Sequence, residues 1–414
     1  MTGTATGHPG LPHSVFLKRL AGAGEPPGLE PRLGRAAFLV LRLVDLLAPE
    51  HAGIHPDAFR YQRIATERCC RDLPAGSTEA SHLLGLVQGA DAAFQHTDLT
   101  LVLPALFAYA HFLQDELRLE EALDVLDEAL YVSGDALPTE DGIALRLRRA
   151  RVLRMLNSFD AAEQAYAEGG ALAAAIGDTH SELLSRIGRA NTTMGRGNLA
   201  ATELSLREIL DDAERIADAD ATARAHHGLA AALIYRGQPN EAIPHIWRAF
   251  RLFDDEISRG RALADLGLTL LSVGDADGAE RALLEAVRRG GAQDFATNAV
   301  IELMHCASYR RDRVGFERWR ERCQARREHM PPNILVDFML KTGIGLARFG
   351  QFERAERLLT NALAVADDAG LHEFAFRIER IKAGLRDCTE AAAEPVVLTE
   401  PVREVSAELA HLAG

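Results

Sequence analysis

The sequence predicts an all-α fold, a right-handed superhelical solenoid of antiparallel helix pairs. Three observations carry that expectation. Ala and Leu dominate the 414 residues and aromatics make up only 6%, a balance that suits close-packed helices better than strands. Small side chains recur at nearly constant intervals along most of the chain. In most copies a large apolar residue follows four positions later, one turn along the same helix face.

The recurring small residues are Ala122, Ala162, Ala242, Ala279 and Ala355, with Thr202 and Phe316 in the same place in two weaker copies. Their spacings are 40, 40, 40, 37, 37 and 39 residues. Twelve residues upstream of each lie Ala110, Ala150, Ala190, Ala230, Gly267, Met304 and Gly343. Two antiparallel helices approach closely only where facing side chains are small, so each upstream residue marks a first helix and each downstream residue a second. The large residues Tyr166, Ile246, Leu283 and Leu359 fall one turn beyond the second small position. Gly197, Gly237, Gly274 and Gly350 sit between the paired helices, where glycine ends a helix well. A single pair cannot cover its own apolar stripe, whereas stacked copies form a continuous core.

This pattern resembles the tetratricopeptide repeat (TPR), with small residues at positions eight and twenty and a large one at twenty-four. It covers about Leu103 to Ala366 in seven copies. The family's Trp at position four is absent, and its closing Pro is missing from most copies. The period of about 40 resembles the lengthened arrays of bacterial signalling regulators. The resemblance implies a protein or peptide partner held on the groove lined by the first helices. Projecting the family's groove positions selects Arg151, Arg154, Asn191, Arg224, His227 and Tyr235. The three arginines and Asn191 suit a partner with acidic or free carboxylate groups, since a guanidinium binds a carboxylate through two parallel hydrogen bonds. The carboxylate clamp of chaperone-tail-binding relatives is not matched, because Ile187, Gly228 and Asp265 stand at three of its five positions.

The flanks follow from periodicity. Residues 1–28 read as a flexible lead-in, and 29–98 as N-terminal helices with a degenerate pair. Leu29–Leu47 places Leu33, Ala36, Ala37, Val40 and Val44 at helical spacing, and Asp57–Asp72 and Ser77–Gln95 form the pair. The array then spans 99–370, a capping helix 371–386, and a linker with a short amphipathic helix 387–414. In that last helix Val402, Val405, Leu409 and Leu412 share one stripe, suited to docking in the groove of this chain or of a second copy; a homo-oligomer built this way is left open.

Composition narrows the functions. A net charge of −14 repels nucleic acid on average, and the Arg-rich stretch from Tyr309 to Arg327 is offset by Asp312, Glu317 and Glu321. Five cysteines, none in a CxxC pair, support neither a disulfide framework nor a zinc site. There is no phosphate loop, no dinucleotide fingerprint and no HExxH. His51 and His55 have helical spacing, but Gly53 and Pro56 interrupt the helix that would align them. Adjacent His226 and His227 point in different directions on a helix. No cofactor or metal is expected, nor is membrane insertion, since the apolar run Ala36–Ala48 is short and broken by Arg42 and Asp45. The expected protein is a cytoplasmic, non-enzymatic interaction scaffold. The alternative is a peptide-sensing module whose superhelix changes shape on binding.

Overall fold

The computed structural model describes residues 11–20, 28–51, 53–74, 76–134, 137–289, 293–327, 330–385 and 398–412. Cys388 and the expected linker over 387–397 lie outside the described residues. The described residues hold twenty α-helices, a few 3₁₀ turns and no strand. They divide into two compact units, residues 1–198 and 199–414.

The first unit opens with α1 (Ser14–Leu17), then a 3₁₀ turn at Lys18–Leu20. Next come α2 (Leu29–Asp45), α3 (Pro56–Arg71) and α4 (Thr78–His96), which pack on one another. The array follows with α5 (Leu103–Asp115), α6 (Leu119–Ser133), α7 (Thr139–Met155), α8 (Phe159–Ile176) and α9 (Thr179–Gly195). The apolar stripe expected on α2 is the buried one: Leu33, Ala36, Ala37, Val40 and Val44 are at most 4% exposed. Part of the expected flexible lead-in is folded. Phe16 is fully buried, and a β-carbon at Gly34 would lie 2.5 Å from the Phe16 carbonyl oxygen, so only glycine lets α1 lie this close to α2. Arg19 is held by Glu79 at 2.9 Å and Glu121 at 2.6 Å, and Tyr109 donates to Glu79 at 2.8 Å. Such buried charges tie a short segment down because removing either partner strands the other.

The second unit comprises α10 (Leu199–Arg215), α11 (Ala219–Tyr235), α12 (Pro239–Leu252), α13 (Glu256–Ser272), α14 (Ala276–Arg289), α15 (Gln293–Tyr309), α16 (Arg313–Gln324), α17 (Pro332–Arg348) and α18 (Phe352–Asp368). It ends with α19 (His372–Ala383) and α20 (Glu400–Leu412). α19 packs on α18, and its Ile378 is buried. α20 docks on the second helices α12 and α14, burying Val402, Val405 and Leu409. Its seat is therefore the second-helix side of its own unit, where the sequence suggested a groove.

The repeat is realised position by position. Ala122, Ala162, Thr202, Ala242, Ala279, Phe316 and Ala355 all have no solvent exposure. A β-carbon at Gly267 would lie 2.5 Å from Leu283, and one at Gly343 would lie 2.7 Å from Leu359. In these two pairs the large residue of the second helix fills the notch left by the small one of the first. In the degenerate copy Phe316 reaches onto the next first helix instead, where a β-carbon at Gly345 would meet its ring at 2.3 Å. The second residue after each first helix adopts the left-handed conformation: Leu117, Asn157, Gly197, Gly237, Gly274, Arg311 and Gly350, with φ of 58°, 59°, 84°, 76°, 87°, 61° and 75°. Those residues keep the 40, 40, 40, 37, 37, 39 spacing, so the turn as well as the packing position repeats.

Candidate functional site

The candidate site lies on the first helices of the second unit, and α11 is its main wall. Asp218 caps that helix by accepting the Ala221 N–H at 2.9 Å, and Gly237 ends it in the left-handed conformation. Between them, Ala221, Ala225, Leu229 and Ala232 turn into the core. His227, Ala230, Ala231, Ile234 and Tyr235 line a groove toward α13.

Elsewhere in this unit successive first helices pack directly, α13 on α15 and α15 on α17. Between α11 and α13 a space of about 490 Å³ remains, floored by Ile246 of α12 and closed by Asp265, Leu268, Thr269 and Ser272 of α13. Small Ala230 and Ala231 leave that room. Three apolar side chains on its rim face solvent: Ile234 is 39% exposed, Tyr235 72% and Leu268 38%. One polar link crosses it, His227 Nε2 to Asp265 Oδ2 at 2.8 Å, with the imidazole edge-on to Phe253. At the N-terminal end of α11, Arg224 pairs with Asp220 at 2.7 Å; burial pushes the nearby Asp255 carboxyl up, but its hydrogen bonds from Ser258 and then the Arg224 charge bring it below the usual range. From Arg224 to Tyr235 the helical rise gives about 16 Å, the reach of roughly five extended residues.

Three of the six residues singled out from the sequence therefore share α11. The other three belong to the first unit. Arg151 and Arg154 are half-buried on α7 and Asn191 is half-buried on α9. Both arginines act on Tyr166 of α8: burial raises its phenol pKa, while Arg154, through charge and a hydrogen bond, and Arg151 oppose the rise. The Tyr166 ring lies over Gly188 of α9, where a β-carbon would be 2.2 Å from it. A second recess in this unit, also about 490 Å³, is lined by His82, Phe107, Ala108, His111, Phe112, Asp115 and Arg148.

Asp265, Leu268 and Ile234 were missed by the sequence reading. Asp265 entered it only as a mismatch to the carboxylate clamp, and apolar residues on a polar-looking face drew no notice. Leu268 follows Asp265 by one turn, which is the signal that was available.

The adjacent histidines diverge as expected. His226 turns inward to His245, with the two Nδ1 atoms 2.8 Å apart. One must be N–H and the other a lone pair, so the two rings cannot both be protonated. Burial, then His245 and Arg248, push the pKa of His226 down to about 4; burial, Arg248 and Arg207 lower that of His245. The Arg-rich stretch is partly absorbed within the unit. Arg310 pairs with Asp277 and Glu280, Arg320 with Glu317, and Arg318 and Arg322 flank the Trp319 ring at 4.9 and 5.6 Å. Among the described residues no helix is long and apolar enough to cross a membrane.

No protein-family model matches the chain, and no curated protein matches it. Solved structures do. The apo form of the quorum sensor NprR from B. thuringiensis is similar at a TM-score of 0.51 and 10% identity, over 80% of this chain and 98% of that one. The Rap conjugation gene regulator of the plasmid pLS20, solved with the Phr* peptide, is similar at a TM-score of 0.51 and 12% identity, over 87% and 98%. At these identities the likeness speaks to fold: the chain is an all-α, TPR-like array of helix pairs.

Proposed function

We propose that this chain is a non-enzymatic binding module of the bacterial cytoplasm that takes an extended peptide, or a peptide-like segment of a partner protein, in the groove between α11 and α13. The observation that carries the reading is the space of about 490 Å³ with a partly exposed apolar rim of Ile234, Tyr235 and Leu268. Exposed aromatic and aliphatic side chains beside a few fixed polar groups are what a peptide's side chains and backbone need. Arg224 at one end suits an acidic side chain or free carboxylate. The Rap regulator of similar fold was solved with a peptide, which favours the same class of ligand here.

The hydroxyls beside His227 and Asp265 favour binding over catalysis. Thr269 donates to the Asp265 backbone carbonyl at 2.7 Å and Ser272 to that of Thr269 at 2.7 Å. Tied to their own helix, they are not set up as nucleophiles for the imidazole. The described cysteines Cys69, Cys70, Cys306 and Cys323 are free thiols, which fits a reducing compartment.

The test is a library of C-terminal and internal peptides titrated against the full chain. Tyr235→Ala is expected to weaken the best binder by roughly tenfold or more, the usual size for a central aromatic contact. Arg224→Ala should lose the preference for a carboxylate. A folded wild-type chain that binds no peptide, or binding indifferent to Tyr235→Ala, overturns the assignment.

One contact favours the shape-changing alternative. Ile246 floors the groove, and its neighbour Trp247 donates to Glu408 of α20 at 2.7 Å. A ligand pressing on Ile246 is therefore one residue from the seat of the tail, and the same titration followed by protease cleavage of 398–412 separates a rigid scaffold from a responsive one.

A further inference from the structure

A buried cluster in the first unit is unrelated to the groove. His13, Asp45 and Glu128 are 5%, 5% and 6% exposed, and each offers one ligand atom within 4.8 Å of the others. They come from three places in the chain: the start of α1, the end of α2 and the middle of α6. His13 Nε2 lies 2.8 Å from Asp45 Oδ1 and 3.6 Å from Glu128 Oε2. On the other side of the ring, Nδ1 lies 2.6 Å from Asp124 Oδ2. Arg42 also pairs with Asp45.

Two features need an explanation. Glu128, with a side chain only 6% exposed, faces the Asp45 carboxyl, and its Oε1 is buried with no N–H donor against it. With a neutral imidazole, Asp45 and Glu128 put two negative charges among groups closed to solvent, while Asp124 and Arg42 lie at the edge, 25% and 38% exposed, and offset one another; uncompensated buried charge is strongly unfavourable.

We propose that His13, Asp45 and Glu128 bind one divalent first-row transition cation of the zinc or manganese class, with Asp124 orienting His13 from behind. One imidazole nitrogen and two carboxylates are a donor set that such ions accept. Metal–ligand bonds near 2.0–2.1 Å place neighbouring donors roughly 2.9–3.4 Å apart, and the 2.8 and 3.6 Å separations straddle that range. Asp124 is placed to accept the Nδ1–H, the usual outer arrangement of a metal-bound histidine, and the cation would take the place of the proton that Nε2 otherwise shares with Asp45 at 2.8 Å. The cation would balance the two buried carboxylates of Asp45 and Glu128 and tie α1 to α2 and α6. A cation bound here is structural, because the three ligands are nearly closed to solvent.

The rival compensation is two protons. Burial and then Asp45 push the Glu128 carboxyl up to about 8, while Asp124 and Asp45, against the opposing effect of burial, raise His13 to about 9. The experiment distinguishes them. The full chain, stripped with chelator and shown by circular dichroism to be folded, is titrated with Zn²⁺ alone and with Mn²⁺ alone at neutral pH, and bound metal is counted by elemental analysis. One equivalent is expected for at least one ion. Its affinity should fall at least tenfold in Glu128→Gln, which keeps the shape, and in Asp124→Asn, which removes the carboxylate that holds the His13 ring from behind. A folded wild-type chain that takes up neither ion stoichiometrically overturns the proposal in favour of the protons, whatever the variants do. So does uptake that persists unchanged in Glu128→Gln and His13→Ala.

Discussion

His226 and His245 show how one hydrogen bond turns burial into pH dependence. Burial disfavours a charge on either imidazole in the folded chain, and two rings with Nδ1 atoms 2.8 Å apart cannot both carry a proton there. Arg207 and Arg248 add positive charge, while Glu241 and the Glu214 carboxylate, 3.9 Å from His226, offset it weakly. The folded pKa values lie below the unfolded value of about 6.5, so the unfolded chain binds more protons between pH 6.5 and about 4. The pair's contribution is complete above pH 6.5 and is lost as pH falls through that window. Urea unfolding at pH 7.5, 5.5 and 4.5 is expected to show a loss of roughly 1 kcal/mol that His226→Asn/His245→Asn does not. An equal acid slope in the double variant would refute the assignment. The neighbouring residue, His227, shows what a one-residue step does on a helix: it leaves the core and enters the groove with Asp265.

Each helix here is defined as much by how it stops as by what it buries. Aspartates begin several of them: Asp178, Asp218, Asp255, Asp275 and Asp312 each accept a backbone N–H from three residues on, at 2.7 to 3.0 Å. A left-handed residue ends each first helix, and where it is glycine the conformation is free of side-chain clash. Ala217, in the turn after α10, takes the same conformation with φ 57°. Its side chain is exposed, so replacement removes no packing. Ala217→Gly is therefore expected to stabilise the chain by about 0.5–1 kcal/mol, read as a higher urea midpoint at unchanged slope. A lower midpoint would show that the greater freedom of glycine in the unfolded chain outweighs the strain. The same reasoning explains which elements could be read in advance. α2, α3, α4, α19 and α20 begin and end within a residue or two of where periodicity and turn residues placed them. The segment 11–20 could not be, because α1 is only four residues long and its single buried apolar side chain, Phe16, makes no period.

At the scale of the whole molecule, both ends of the described chain return to distant elements of their own unit. Arg19 meets Glu121 across 102 residues, and Trp247 meets Glu408 across 161. A pure solenoid couples only neighbouring repeats, so trimming its end should loosen only the end. This chain should behave differently. Removing residues 398–414 uncovers the seat of Val402, Val405 and Leu409 on α12 and α14 while leaving the cap α19 on α18. Hydrogen exchange in the truncated chain is expected to rise in α12 and α14 and to stay unchanged in α17 and α18. Faster exchange in the last repeat alone would show that the tail is not seated there.

The sequence by itself determined the helix pairs, their period and the small-against-large contacts between them, because these depend on side-chain size at fixed steps along a single helix. It also singled out His227 and Tyr235, whose register follows from the same steps. The tertiary structure alone decided that α11 and α13 stand apart, that the tail lies on the second helices, and that His13 meets Asp45, Asp124 and Glu128. Those outcomes join residues 32 to 161 positions apart, and no local period encodes the distance between surfaces that meet only after the chain has folded.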